Sequence, residues 1–243
     1  DLGVSYINKF PVRDMISQRI PATIELAIAS IIIAVIIALP LGILSALRPG
    51  SFFDLAVTTF SALTYAMPGF FLLVLLVILF SQALRWLPPS GRPNLADQPV
   101  LFLKSIILPA FTLGIGIATN LARYLRSSLL EVLDQDYVRT ARAKGLRGSI
   151  VLIRHALPNA LIPVVTILGL QLGDLLSGAI IVESIYAWPG VGRLTIQAIE
   201  WRDYALLQAN VLFIVIVFLL INLLTDLTYG WLDPRIRFHK SQV

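Results

Sequence analysis

The chain of 243 residues contains no cysteine, which removes disulfides, iron–sulfur clusters, thiolate metal sites and cysteine nucleophiles in one step. Histidine is nearly absent too. His155 and His239 are too few to build a histidine metal site, so no metal ligand set is expected. Charged residues make up only 14% and hydrophobic residues 57%, with a mean hydropathy of +0.84, whereas soluble domains carry about 25% charged and about 45–50% apolar residues. This composition excludes a water-soluble globule. A phosphate-binding loop of the Gly-x-x-x-x-Gly-Lys type is also missing, because Gly145-Leu146-Arg147-Gly148-Ser149 has the wrong glycine spacing and no following lysine. The chain is therefore expected to be no ATPase and to carry no catalytic residue.

What is present is long apolar sequence. A bilayer core about 30 Å thick needs about 20 mostly apolar residues per helix, and five stretches meet that: 22–47, 55–84, 105–128, 157–183 and 204–229. Period-2 alternation is absent, and a segment crossing lipid must satisfy its own backbone, so the stretches read as helices of an all-α polytopic membrane protein. No internal repeat or low-complexity tract divides it, and residues 1–243 form one domain. Pro40, Pro68, Pro109 and Pro163 fall inside four of the spans and predict kinked, packed helices, with a hinge role as the alternative.

The net charge of +5 is not a nucleic-acid signature, because the basic residues lie between apolar runs and act as topology signals. Arg123 and Arg126 at the end of the third span, with Arg139, Arg142, Lys144, Arg147 and Arg154 beyond it, form the densest cluster and place the loop between the third and fourth spans in the cytoplasm. The C-terminus, with Arg235, Arg237 and Lys240, then returns to the cytoplasm, and Asp1 lies outside. Exporting 1–21 requires either an upstream membrane helix that is missing here or a cleaved signal peptide.

The loop at 131–156 has a helix-compatible stretch, Val138 to Lys144, with Gly145 as a natural C-terminal cap, and a second helical stretch from near Ser149 towards the membrane. It is either a docking element for a cytoplasmic partner or a basic loop that only fixes topology. The residue order favours the first. Asp136-Tyr137-Val138-Arg139-Thr140-Ala141-Arg142-Ala143-Lys144-Gly145, followed by His155-Ala156-Leu157-Pro158-Asn159, resembles the ATPase-coupling loop of ABC importer permeases, in the form seen in their dipeptide/oligopeptide/nickel branch. Relative to the general Glu-Ala-Ala…Gly…Ile-x-Leu-Pro pattern, Gly145 and Leu157-Pro158 match, while Arg139 and Thr140 replace Glu and Ala, and His155 stands where Ile would.

Further likenesses run along the chain, at Arg19–Leu26, Leu87–Gly91, Val182–Arg193, Arg202–Tyr204 and Asp233–Arg237. The resemblance implies a type I ABC importer permease fold of the first-permease kind, with five of an expected six helices. It also implies a second homologous permease, two ATP-binding subunits that hold the ATP and magnesium, an extracytoplasmic substrate-binding protein, and a place in the bacterial inner membrane. Peptides, glutathione and nickel complexes are the cargo classes it covers.

Asp174 interrupts the fourth span, where an unpaired charge facing lipid costs about 2.5–3.5 kcal/mol, so it must face inward. Gln171, Asp174 and Gly178 share one helical face, which lines a translocation path or contacts another helix. Gly169-x-x-x-Gly173 permits close helix packing. Asn120, Asn210, Asn222 and Asp226 sit mostly near span ends and are read as interfacial. Trp188 and Trp201 flank an amphipathic stretch, Leu194 to Glu200, and are expected at the outer interface.

Two other functions compete. An intramembrane aspartyl protease pairing Asp174 with Asp226 would need glycine where Gln171 stands and tyrosine where Thr225 stands. A secondary transporter would need paired intramembrane ionisable groups or related halves.

Overall fold

The computed structural model describes residues 2–232, and the basic tail with Arg235, Arg237 and Lys240 lies outside them. Ten helices run in chain order: α1 (Val12–Ser17), α2 (Ile20–Leu47), α3 (Phe52–Ala66), α4 (Gly69–Leu76), α5 (Pro99–Leu133), α6 (Asp136–Ala143), α7 (Gly148–Ile150), α8 (Leu157–Ile185), α9 (Val191–Glu200) and α10 (Tyr204–Leu232). Two π-helical turns, Val77–Ala83 and Val151–Ala156, extend α4 and join α7 to α8. Among the described residues, four helical segments are long and apolar enough to cross a membrane: Val12–Leu47, Pro99–Leu133, Gly148–Ile185 and Tyr204–Thr228.

The stretch 55–84 is not one kinked rod. It is a pair, α3 and then α4 with its π-helical turn, bent by 103°. At the bend Met67, which precedes Pro68, leaves the helical region, to φ −86° and ψ 131°. Pro40, Pro109 and Pro163 by contrast sit inside continuous helices.

The core is built on α2 against α5. The buried face of α2 carries Ala22, Leu26, Ser30, Ala34, Ala38, Gly42 and Ala46, a row of mostly small residues four apart, which lets the two backbones approach. A Cβ added at Gly114 of α5 would stand 2.6 Å from the Ser30 carbonyl oxygen, and one at Gly42 would stand 2.9 Å from that of Ala122. The two helices thus run parallel, Ser30 level with Gly114 and Gly42 with Ala122. Helix α8 runs antiparallel to α5, with Gly178 against Leu113. Gly169 and Gly173 pack on Thr225 and Phe218 of α10, so this small-residue pair serves a contact within the chain.

Candidate functional site

Helix α6 overlaps the stretch expected at Val138–Lys144. Its inner face packs on the rest of the chain, where Val138 and Ala141 are buried against Val151, with Val132 and Leu133 alongside. Tyr137, Arg139, Thr140, Arg142, Ala143 and Lys144 remain exposed. Ala141 is thus small because it faces its own chain, whereas Ala143 is on the free side. Gly145 ends the helix with φ +78°, the left-handed region that glycine enters without steric cost, and its N–H donates to the Arg142 carbonyl at 2.9 Å. Asp136 and Asp134 pair with Arg139 on the open surface, at N–O distances of 3.7 and 2.7 Å, where such pairs contribute little.

Past Gly145 the chain re-enters helix at Gly148 and passes through the π-helical turn that holds His155. It continues as α8 at Leu157-Pro158, with the proline directly after the π-helical turn. Asn159 ties this start back to α6: its Nδ2 donates to the Tyr137 hydroxyl at 3.1 Å and to the His155 carbonyl at 2.9 Å. The expected loop residues therefore form one connected unit between α6 and α8.

Higher on α8, Gln171, Asp174 and Gly178 line a cavity of about 320 Å³ together with Tyr65, Asn120 and Leu175. Asp174 is exposed into it. The cavity sits where α3 and α4 bend apart, and it does not include Asp226, so Asp174 and Asp226 form no dyad there. No group of three or more His, Asp or Glu side chains gathers into a metal-binding set among the described residues.

Residues 38–238 match the family described as binding-protein-dependent transport system inner membrane component. The chain belongs to that family. Among curated relatives, this ABC importer permease is 44% identical to the glutathione transport system permease GsiC of Pectobacterium atrosepticum, over 98% of this chain and 75% of that one. It is 41% identical to the dipeptide transport system permease DppB of Alkalihalophilus pseudofirmus, over 98% and 78%, and 41% identical to DppB of Escherichia coli, over 99% and 78%. Among solved structures, the MetNI methionine ABC transporter in an inward-facing conformation gives a TM-score of 0.75 at 19% identity, covering 92% of this chain and 98% of that one. An amino acid ABC transporter crystallised with histidines gives 0.66 at 15% identity, covering 89% and 94%. The fold is the type I ABC importer permease fold.

The permease also holds polar centres that sequence reasoning passed over. Glu183, fully buried, accepts from Thr23 Oγ1 at 2.7 Å and from the Arg193 N–H at 3.0 Å, while Thr23 Oγ1 accepts from the Val191 N–H at 2.9 Å. Glu183 and Thr23 together satisfy the open N–H groups at the start of α9 and fasten it to α2 and α8. Asn210 is not interfacial; it is buried, and its Nδ2 donates to the Val191 carbonyl and to Thr195 Oγ1. The interfacial reading of Trp188 is overturned as well. Its ring is fully buried against Phe102 and its Nε1 donates to the Ala22 carbonyl at 2.7 Å, a carbonyl with two lone pairs that takes the indole N–H inside the bundle. Trp201 remains half-exposed. The motif Val182–Arg193 gave the signal for Glu183, but its partners Thr23 and Ala22 lie some 160 positions away.

Asp203 caps α10 and anchors the segment before α1, accepting from the Ser5 hydroxyl and from the Tyr6 and Leu206 N–H groups. Burial opposes its charge, but the hydrogen bonds outweigh burial and hold the carboxyl below its ordinary value. With a lowered native pKa, its stabilising contribution is complete above the ordinary value of about 3.9 and is lost as pH falls through the native one. Limited proteolysis of the segment at residues 2–11 should therefore stay slow down to about pH 4 and accelerate only below it. Asp203→Asn should remove most of that acid step; an unchanged step in the variant would assign it to another group.

Proposed function

We propose that this permease forms, with a second homologous permease subunit, the path by which peptides or a closely related small solute enter the cell. In this reading two cytoplasmic ATPases, which hold ATP and magnesium, drive it through the segment 131–156, and an extracytoplasmic binding protein delivers the cargo. The observation that carries the reading is the continuity of α6, Gly145, the π-helical turn and α8: one connected unit runs from an exposed helix face to the cavity at Asp174. Closure of the ATPases would displace α6, and α8 would transmit the motion to the bundle. Relatives named as dipeptide and glutathione permeases support peptide cargo.

The basic loop supports a cytoplasmic α6 and, by parity, an outer placement for Asp1 and for the loop at Ser90. The cysteine-free background makes this testable. Ser90 and Ser149 are both exposed, so in intact cells Ser90→Cys should react with an impermeant maleimide and Ser149→Cys should not. The reverse pattern would invert the topology. The functional test is reconstitution. The permease pair alone should show no ATP hydrolysis, and hydrolysis with dipeptide uptake should appear when the ATPases and binding protein are added. Turnover by the permease free of partners would overturn the coupling role, and a complete complex that takes up no peptide would overturn the cargo.

A further inference from the structure

The cavity at Asp174 adjoins a second one. A cavity of about 450 Å³ between α3 and α5 shares Tyr65 and Asn120 with it, so the two meet across these side chains. Their charges are opposite. Asp174 is the acidic residue of the first, and Arg123 and Arg126 are the basic residues of the second. Arg126 is already neutralised, since its Nε and Nη2 donate to the two carboxylate oxygens of buried Asp54 at 2.6 and 2.7 Å. Arg123 is exposed, and its Nη2 donates to the neutral Asn120 Oδ1 at 3.2 Å. Among the described residues neither Arg123 nor Asp174 belongs to an ion pair. Two charges of opposite sign, each outside any ion pair among the described residues, thus line adjoining cavities that meet at Tyr65 and Asn120, with the Arg123 guanidinium also resting over the Tyr124 ring.

Their spacing is set by helix geometry. From the contact of Gly178 with Leu113 between antiparallel helices, Asp174 lies level with Ile117. The Arg123 backbone stands six residues further along α5, a rise of about 9 Å at 1.5 Å per residue, and its guanidinium reaches back to Asn120, about 4.5 Å beyond Ile117. An extended peptide covers about 3.3–3.6 Å per residue, so one to three residues bridge a rise of about 4.5–9 Å.

We propose that Asp174 and Arg123 form a bipolar site for the free termini of a short zwitterionic peptide, with the ammonium at Asp174 and the carboxylate at Arg123. The guanidinium fork matches a carboxylate in two parallel bonds, and the Asn120 amide and Tyr65 hydroxyl face the peptide backbone between them. Both charges are exposed, so each pairing is weak enough to release a solute that has to move on, while a solute entering the apolar bundle keeps its charges matched. This site rests on the reading of the permease as a peptide path.

The test uses the complete complex in nanodiscs without the binding protein, so that the binding protein's own preference does not enter. Equilibrium dialysis compares radiolabelled dialanine, N-acetyl-dialanine and dialanine amide. The wild type should prefer dialanine to both capped forms by about tenfold, as expected for losing one charge-assisted hydrogen bond. Asp174→Asn should abolish the preference over the N-acetyl form and keep that over the amide; Arg123→Gln should do the opposite; Asp174→Glu should restore the first. Variants that affect the three probes equally would overturn the bipolar site. So would a wild type that takes up dialanine in proteoliposomes yet shows no saturable occupancy. A wild type that takes up no peptide would overturn the cargo reading and the site together.

Discussion

Gly145→Val is expected to reduce uptake by the assembled transporter about tenfold or more while leaving membrane insertion intact. The backbone at Gly145 has φ +78°, and an L side chain there costs about 1–2 kcal/mol, a factor of about 5–30 in the equilibrium between the native turn and its alternatives. No atom lies within 4 Å of a Cβ at this position, so the penalty is purely conformational and falls on the turn that fixes α6 relative to α8. Gly145→Asn should retain much of the activity, because asparagine tolerates this region. Ala143→Trp provides the second arm. Ala143 is exposed, so the larger ring disturbs nothing inside the permease and blocks only what docks outside it. Uptake and ATP hydrolysis measured together in proteoliposomes decide the matter: near-normal uptake for both variants would reduce this loop to a topology signal.

The largest effect on folding is expected at Gly114. An alanine Cβ there would stand 2.6 Å from the Ser30 carbonyl oxygen and 3.4 Å from the Ala34 nitrogen, and both are backbone atoms of α2 that move only if the helix moves. Overpacking of this kind costs about 1–3 kcal/mol, more than the about 1 kcal/mol that alanine gains over glycine inside a helix. Gly116, two residues on, has nothing within 4 Å of its Cβ direction. The same substitution should thus have opposite signs at neighbouring positions. Gly114→Ala should lower the folded fraction in fluorescence-detected size exclusion after heating, Gly114→Val should lower it further, and Gly116→Ala should match or exceed the wild type. Equal behaviour of the two alanine variants would show that α2 and α5 are not in close contact.

The long apolar runs, the helix at α6 and the cap at Gly145 were readable in the sequence because each depends on neighbours a few residues away: hydropathy over about 20 positions, or one glycine after a helical stretch. What was not readable depends on distant partners. Pro68 announces a disturbance, yet whether a span kinks or turns by 103° depends on whether other helices receive its two halves. Trp188 has the composition of an interfacial anchor and becomes a core residue only because the Ala22 carbonyl is there to accept its N–H. Glu183 and Asp54 look like charges at span ends, and their burial follows from donors on other elements: Thr23 for Glu183, and Arg126, Ser45 and the Gly50 N–H for Asp54. Asp174 and Arg123 lie on different helices with Asn120 between them, and no linear spacing connects the three.

The parallel pairing of α2 with α5 also sets a schedule during synthesis. Gly114 follows Ser30 by about 80 residues, so at about 5–20 residues per second the row of small residues on α2 waits roughly 4–16 seconds for the helix that will cover it. A row rich in hydrogen-bonding side chains would spend that interval seeking other partners in the lipid. Here the row is almost entirely alkyl or glycine, and its one mid-membrane hydroxyl, on Ser30, donates to the Leu26 carbonyl of its own helix at 2.7 Å. The surface is chemically quiet before its partner arrives and selective by shape once it does.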